Sequence, residues 1–217
     1  MSNDTELLSR MLCVLDISLS PKQSDDFQKY YSELFAWNKK FNLTRILDYS
    51  DVQALHFFDS LTIVRALNLE LLKNGQFLDI GSGAGFPGIV LSLLFREKKY
   101  PIRMDLYEKS PKKCQFLLKV VKELDLNVSV LEKNVFEQKN LEADTIVARA
   151  FKPIQSIFEI VTKNFKNFKN LILFLGKNGK QTLLDASKVW EFEYKERKSI
   201  TSDDSLIIEI KKIRKKI

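Results

Sequence analysis

Ten residues, Asp79-Ile80-Gly81-Ser82-Gly83-Ala84-Gly85-Phe86-Pro87-Gly88, hold four of the chain's seven glycines. They follow the short apolar run QFLDI (76–80). Glycines placed directly after a strand let the backbone turn sharply and approach a ligand without interference from a Cβ atom. Gly83, Gly85 and Gly88 satisfy G-x-G-x-x-G, a dinucleotide fingerprint. Asp79, two residues before the first glycine, suits a ligand with an ammonium group better than a pyrophosphate. The D-x-G-x-G-x-G form therefore favours S-adenosylmethionine (SAM), with NAD as the second reading. Glu108 ends the next apolar run, RMDLYE (103–108), where an acid accepts both ribose hydroxyls of an adenosyl ligand. The competing reading is a surface glutamate beside Lys109, Lys112 and Lys113.

Open α/β sheets place the reacting group at the carboxyl ends of their strands. In the fourth predicted strand that end reads Ala148-Arg149-Ala150-Phe151. Arg149 is either a cation facing phosphate, base or cofactor carboxylate, or a salt-bridge partner of Asp144 or Glu142. No N-P-P-[YF] tetrapeptide grips an exocyclic amine, and no Pro-Cys pair is available to attack a pyrimidine, since Cys114 falls on a helix. One histidine (His56) and two distant cysteines (Cys13, Cys114) cannot assemble a four-ligand zinc site, so no metal is expected. Any catalytic triad would have to rest on His56 alone.

The elements that must position these residues change character along the chain. Up to about residue 72 the pattern is helical. Phe27, Tyr30, Tyr31, Leu34, Phe35, Asn38 and Phe41 recur at three- and four-residue spacing, after a Ser20-Pro21 helix start. Val52, Leu55, His56, Asp59, Leu61, Val64 and Leu67 suggest a second helix. Residues 73–217 then alternate: strands at 76–80, 103–108, 128–133, 143–151 and 171–175, and helices at 89–95 and 114–124. FEYKE (192–196) and LIIEIKKI (206–213) form a closing antiparallel pair. The expected fold is a three-layer Rossmann-like α/β sheet with an N-terminal helical extension, 1–72 and 73–217, divided weakly at 68–75.

The 217 residues carry 35 Lys+Arg against 28 Asp+Glu, a net of +7. Residues 1–72 hold 7 basic and 10 acidic side chains (net −3), so residues 73–217 hold 28 and 18 (net +10). Lysines cluster at 151–180 and again in the tail, which points to a polyanionic partner. Solvated surface lysines are the alternative. Few cysteines, an acidic N-terminus and no apolar run of about 18 residues imply a cytoplasmic protein outside the membrane.

These motifs together resemble the RsmG (GidB) family of SAM-dependent enzymes, which methylate N7 of a guanine in 16S ribosomal RNA. The likeness rests on WNKKFNLT (37–44), HFFDSL (56–61), FLDIGSGAGFPGI (77–89), EKSPKKCQFL (108–117), ARAF (148–151) and LGKNG (175–179). It implies cofactor contacts at Gly81, Phe86, Val135, Phe136 and Arg149, with Asp79, Gly83, Gly85 and Glu108 completing the pocket. The family often has Arg where Lys113 stands and Glu where Phe136 stands, so at Phe136 a backbone role is the one carried over. The resemblance also implies an rRNA or small-subunit partner, or its assembly intermediate; a monomer is expected. No catalytic residue is assigned; Arg149, His56 and Asn42 are candidates, with Thr44 and Asp59 in the same roof. For His56 a plain helical bond to Asp59 competes. Three other readings are a non-catalytic rRNA-binding assembly factor, a methyltransferase for small molecules or proteins, and an NAD-dependent oxidoreductase.

Overall fold

The computed structural model describes residues 6–65, 67, 75–96, 102–200 and 205–217. The boundary expected at 68–75 therefore falls almost wholly outside the described residues. Strands β1 (Gln76–Ile80), β2 (Arg103–Glu108) and β3 (Val128–Glu132) run parallel, as do β5 (Thr145–Arg149) and β7 (Asn170–Leu175). A separate short pair joins β4 (Leu141–Glu142) to β6 (Phe165–Asn167). The last two strands, β8 (Trp190–Lys198) and β9 (Leu206–Lys215), form the antiparallel hairpin, and β9 pairs antiparallel with β7. The main sheet has the order β3-β2-β1-β5-β7-β9-β8.

The order of winding reverses between β1 and β5, which pair side by side and parallel. A crevice opens at the carboxyl ends of two strands wherever the winding reverses in this way. Helices α5 (Gly88–Arg96) and α6 (Pro111–Glu123) cover one face of the sheet, α7 (Ile154–Asn164) and α8 (Gly179–Val189) the other. The expected strands and the first two helices appear within a few residues of their expected limits. Helices α7 and α8 and the β4–β6 pair were not anticipated.

The helical front begins with α1 (Glu6–Leu12), whose Leu8 and Leu12 are buried. Next comes α2 (Pro21–Phe41), started by a capping box in which Ser20 Oγ accepts from Gln23 N–H at 3.1 Å and Gln23 Oε1 from Ser20 N–H at 3.0 Å. Gln23 Nε2 then donates to the Leu93 and Leu94 carbonyls, both at 3.1 Å, which ties the front to α5. Phe27, Tyr30 and Leu34 are buried in one core with Phe57, Ile89, Leu106 and Phe116. Phe35 instead stands out, 38% exposed.

The second front helix departs from regular winding. It runs through α3 (Tyr49–Asp51), a π-helical stretch (Val52–Phe58), α4 (Asp59–Leu61) and a 3-10 turn (Thr62–Arg65). The wider π turn interrupts the helix where Leu55, Asp59 and Ser60 meet Arg149 of the sheet, a position where such bulges recur in proteins. Among the described residues no helix is long and apolar enough to cross a membrane.

Candidate cofactor site

The glycine loop leaves β1 through three left-handed residues, Gly81 (φ +75°), Gly83 (+60°) and Gly85 (+95°). Gly81 N–H donates to the Tyr107 carbonyl at 2.8 Å, which turns the chain back over β2. At the far end Gly88 N–H donates to Asp79 Oδ2 at 2.9 Å. Tyr30 on α2 donates its hydroxyl to the Ala84 carbonyl, so the front holds the middle of the loop. A Cβ on Gly81 would sit 2.0 Å from Phe151 Cδ2, and one on Gly85 would sit 2.5 Å from Ile89 Cγ1. The loop is therefore closely packed as well as specially wound.

Beside it lies a cavity of about 430 Å³ lined by Gly81, Glu108, Lys113, Val135, Phe136 and Phe151, among others. Glu108 is 7% exposed. Its Oε2 accepts from Gly83 N–H at 3.0 Å and its Oε1 from Ser110 N–H at 2.8 Å. A carboxylate oxygen accepts more than one hydrogen bond, so Glu108 retains acceptor capacity toward the cavity. Val135 is buried, its carbonyl held by Asn164 Nδ2 at 2.7 Å. Phe136 is 41% exposed, with its ring 6.1 Å from that of Phe151.

Asp79 lies beneath the loop and is fully buried. Its Oδ1 has no hydrogen-bond partner. Burial raises its pKa to about 7, against the pull of the Gly88 N–H, with the Glu108 charge adding to the rise. Phe86 closes against the front, stacked on His56 with centroids 4.2 Å apart.

Arg149 points away from this cavity and lines a neighbouring one of about 220 Å³ together with Asp59. It pairs with Asp59 Oδ2 at 3.1 Å, donates to the Leu55 carbonyl and approaches Ser60 Oγ at 3.4 Å. The competing reading of Arg149, a salt bridge with Asp144 or Glu142, is not realised: those acids pair with Lys169 and Lys166. His56 likewise does not bond Asp59; its Nε2 meets Thr44 Oγ1 at 2.8 Å. Burial, helped by the Arg149 charge, lowers the His56 pKa to about 4, so the imidazole is neutral at pH 7. Asn42 is exposed and closes α2 in a left-handed conformation, where its N–H donates to the Asn38 carbonyl.

The structure thus gathers Gly81, Glu108, Val135 and Phe136 around one cavity, with Gly83 bonded to its rim. Asp79, Gly85, Phe86 and Arg149 stand behind or beside it. Tyr107 and Phe151, which wall the cavity and grip Gly81, were not singled out; only their places at strand ends pointed to them. Among the described residues no group of three His, Cys, Asp or Glu side chains comes together that could hold a metal ion.

A glycine loop after β1, an acid ending β2 and this strand order define the class of Rossmann-like SAM-dependent (class I) methyltransferases. Solved structures bear out the fold. The chain superposes on TrmK of M. capricolum, solved with S-adenosyl-homocysteine, with TM-score 0.53 and 19% identity, covering 71% of this chain and 67% of that one. A SAM-dependent methyltransferase from Aquifex aeolicus gives 0.55 and 17%, covering 74% and 92%. Residues 23–207 match the GidB family, rRNA small subunit methyltransferase G, and the chain belongs to that family. Its relatives of that name include one from Pelagibacter ubique, 40% identical over 88% of this chain and 89% of the relative. Another, from Rickettsia felis, is 32% identical over 87% and 92%.

Proposed function

We infer that this chain transfers the methyl group of SAM to N7 of a guanine in 16S ribosomal RNA, acting in the cytoplasm on the small subunit or its precursor. The observation that carries this reading is the cavity between the glycine loop, Glu108 and the Val135–Phe136 edge, beside the reversal of the sheet. The residues fit the cofactor. Glu108 offers acceptors for the ribose hydroxyls, and Val135 with Phe136 offers a main-chain edge and an apolar face for adenine. Gly81, Gly83 and Gly85 let the backbone lie close to the ligand. Asp79, fully buried behind this lining, holds the far end of the loop through the Gly88 N–H.

SAM, when bound, supplies a methyl carbon on a positively charged sulfur. Guanine N7 carries a lone pair and no proton, so no side chain is needed as a base. The protein's task is to exclude water and align the base at near-attack distance. A neutral His56, bonded to Thr44 and stacked on Phe86, fits a positioning role behind the glycine loop. Arg149, locked to Asp59 and Leu55, joins the front to the carboxyl end of β5.

Labelled SAM offered with naked rRNA, free small subunits and an assembly intermediate tests this reading. Label should enter at least one of them and should fall strongly with Glu108→Ala at low SAM concentration. Incorporation into none contradicts it and favours a non-catalytic RNA-binding role.

A further inference from the structure

Six lysines lie within residues 151–180, against the single acid Glu159. Four of them are paired with carboxylates: Lys163 with Glu159 (3.9 Å), Lys166 with Glu142 (3.6 Å), Lys169 with Asp144 (2.7 Å) and Lys180 with Glu196 (3.9 Å). Lys152 and Lys177 have no ion pair among the described residues. Both line one cavity of about 490 Å³ at the carboxyl ends of β5 and β7.

This second cavity has two chemically distinct parts. Phe151, Phe174 and Leu175, all half-buried, make an apolar wall. Lys152, Lys177 and Asn178, all exposed, make a polar and cationic rim. Ala150, Phe151 and Lys152 line the cofactor cavity as well, so the two spaces adjoin. A nucleotide needs both parts, a dry surface for its base and unneutralised cations for its phosphate. We propose that this cavity holds one ribonucleotide of the RNA strand that carries the target guanine, with the base against Phe151, Phe174 and Leu175 and the phosphate between Lys152 and Lys177. The proposal rests on the rRNA methyltransferase reading and specifies where its substrate is held.

The test is the affinity of the protein for a small-subunit rRNA fragment containing the methylated region, read by anisotropy at several salt concentrations. Lys177→Ala should weaken binding about tenfold and lower the log-log salt slope by about one. Lys163→Ala, whose lysine is already paired in the same segment, should change affinity by less than about twofold. Thr182→Trp, which fills the cavity from α8, should abolish the RNA contact while calorimetric SAM affinity persists. Equal effects of Lys177→Ala and Lys163→Ala, or normal RNA binding by Thr182→Trp, would overturn the proposal. Lys177 is exposed, so its variant keeps the test valid if Thr182→Trp does not fold. A wild-type protein that binds the fragment but transfers no methyl group contradicts the enzyme reading instead, and the affinity ratios still decide the cavity.

Discussion

Glu108 is the residue on which the cofactor pocket turns, because it serves the protein and the ligand at once. Its two oxygens fix Gly83 and Ser110 and retain capacity toward the cavity. Glu108→Ala should weaken SAM binding by about 1.5–3 kcal/mol, the loss of hydrogen bonds to a charged acceptor, and calorimetry reads it directly. Unchanged affinity would remove Glu108 from the pocket. Gly81→Ala is a sharper probe of the loop. Its left-handed backbone costs an L-residue about 1–2 kcal/mol, and the new methyl meets the Phe151 ring. Adding Phe151→Leu should recover part of the lost thermal stability, since it relieves the contact and leaves the backbone strain. No recovery would mean the ring is not what excludes the side chain.

At the scale of elements, the front and the sheet are joined through Arg149. Its side chain and that of Asp59 are 19% and 10% exposed, so the pair is largely withdrawn from water. Asp59→Ala should destabilise the protein by about 3–5 kcal/mol in urea unfolding, because the guanidinium would stay buried without its counter-charge. A loss below about 1 kcal/mol would show the pair to be solvated after all. This junction was not legible in the sequence. Residues 59 and 149 are far apart in the chain, and nothing in ARAF indicates which acid lies across from it. The glycine loop and Glu108 were legible because strand, turn and acid are read locally. For α7 a signal existed: Ile154, Ile157, Phe158 and Val161 carry helical spacing and are buried. For α8 it was weaker, with Leu183 and Ala186 the buried side chains beyond Gly179. The π stretch had no signal, because its winding answers to Arg149 and Phe86 across the interface.

For the whole molecule the charge count needs the structure to be read correctly. Three of the five cations in the basic tail are paired, Lys211 with Glu209, Lys212 with Glu193 and Arg214 with Glu191. RNA affinity should still fall with salt, by about 0.7 log units per log unit for each contact to a single-strand phosphate, though with fewer contacts than the lysine total suggests. A flat salt response would contradict RNA binding through these cations.

A half-buried histidine and a buried aspartate set opposite pH dependences of stability. His56 titrates near 4 when folded against 6.5 when free, so its contribution is lost as pH falls from 6.5 toward 4. Asp79 titrates near 7 when folded against 3.8 when free, so its contribution is lost as pH rises from 3.8 toward 7. Relative to wild type, His56→Gln should therefore make stability fall more steeply with rising pH across this range, and Asp79→Asn should make it rise. The same slope in all three proteins would contradict both assignments.

The most direct measurement of the central claim is mass mapping of small-subunit rRNA after incubation with the protein and isotope-labelled SAM. A single labelled 7-methylguanosine, present with wild type and strongly reduced with Glu108→Ala at low SAM concentration, is the predicted result. Label on another base or another guanine atom, or none on any form of the subunit RNA, would contradict the account.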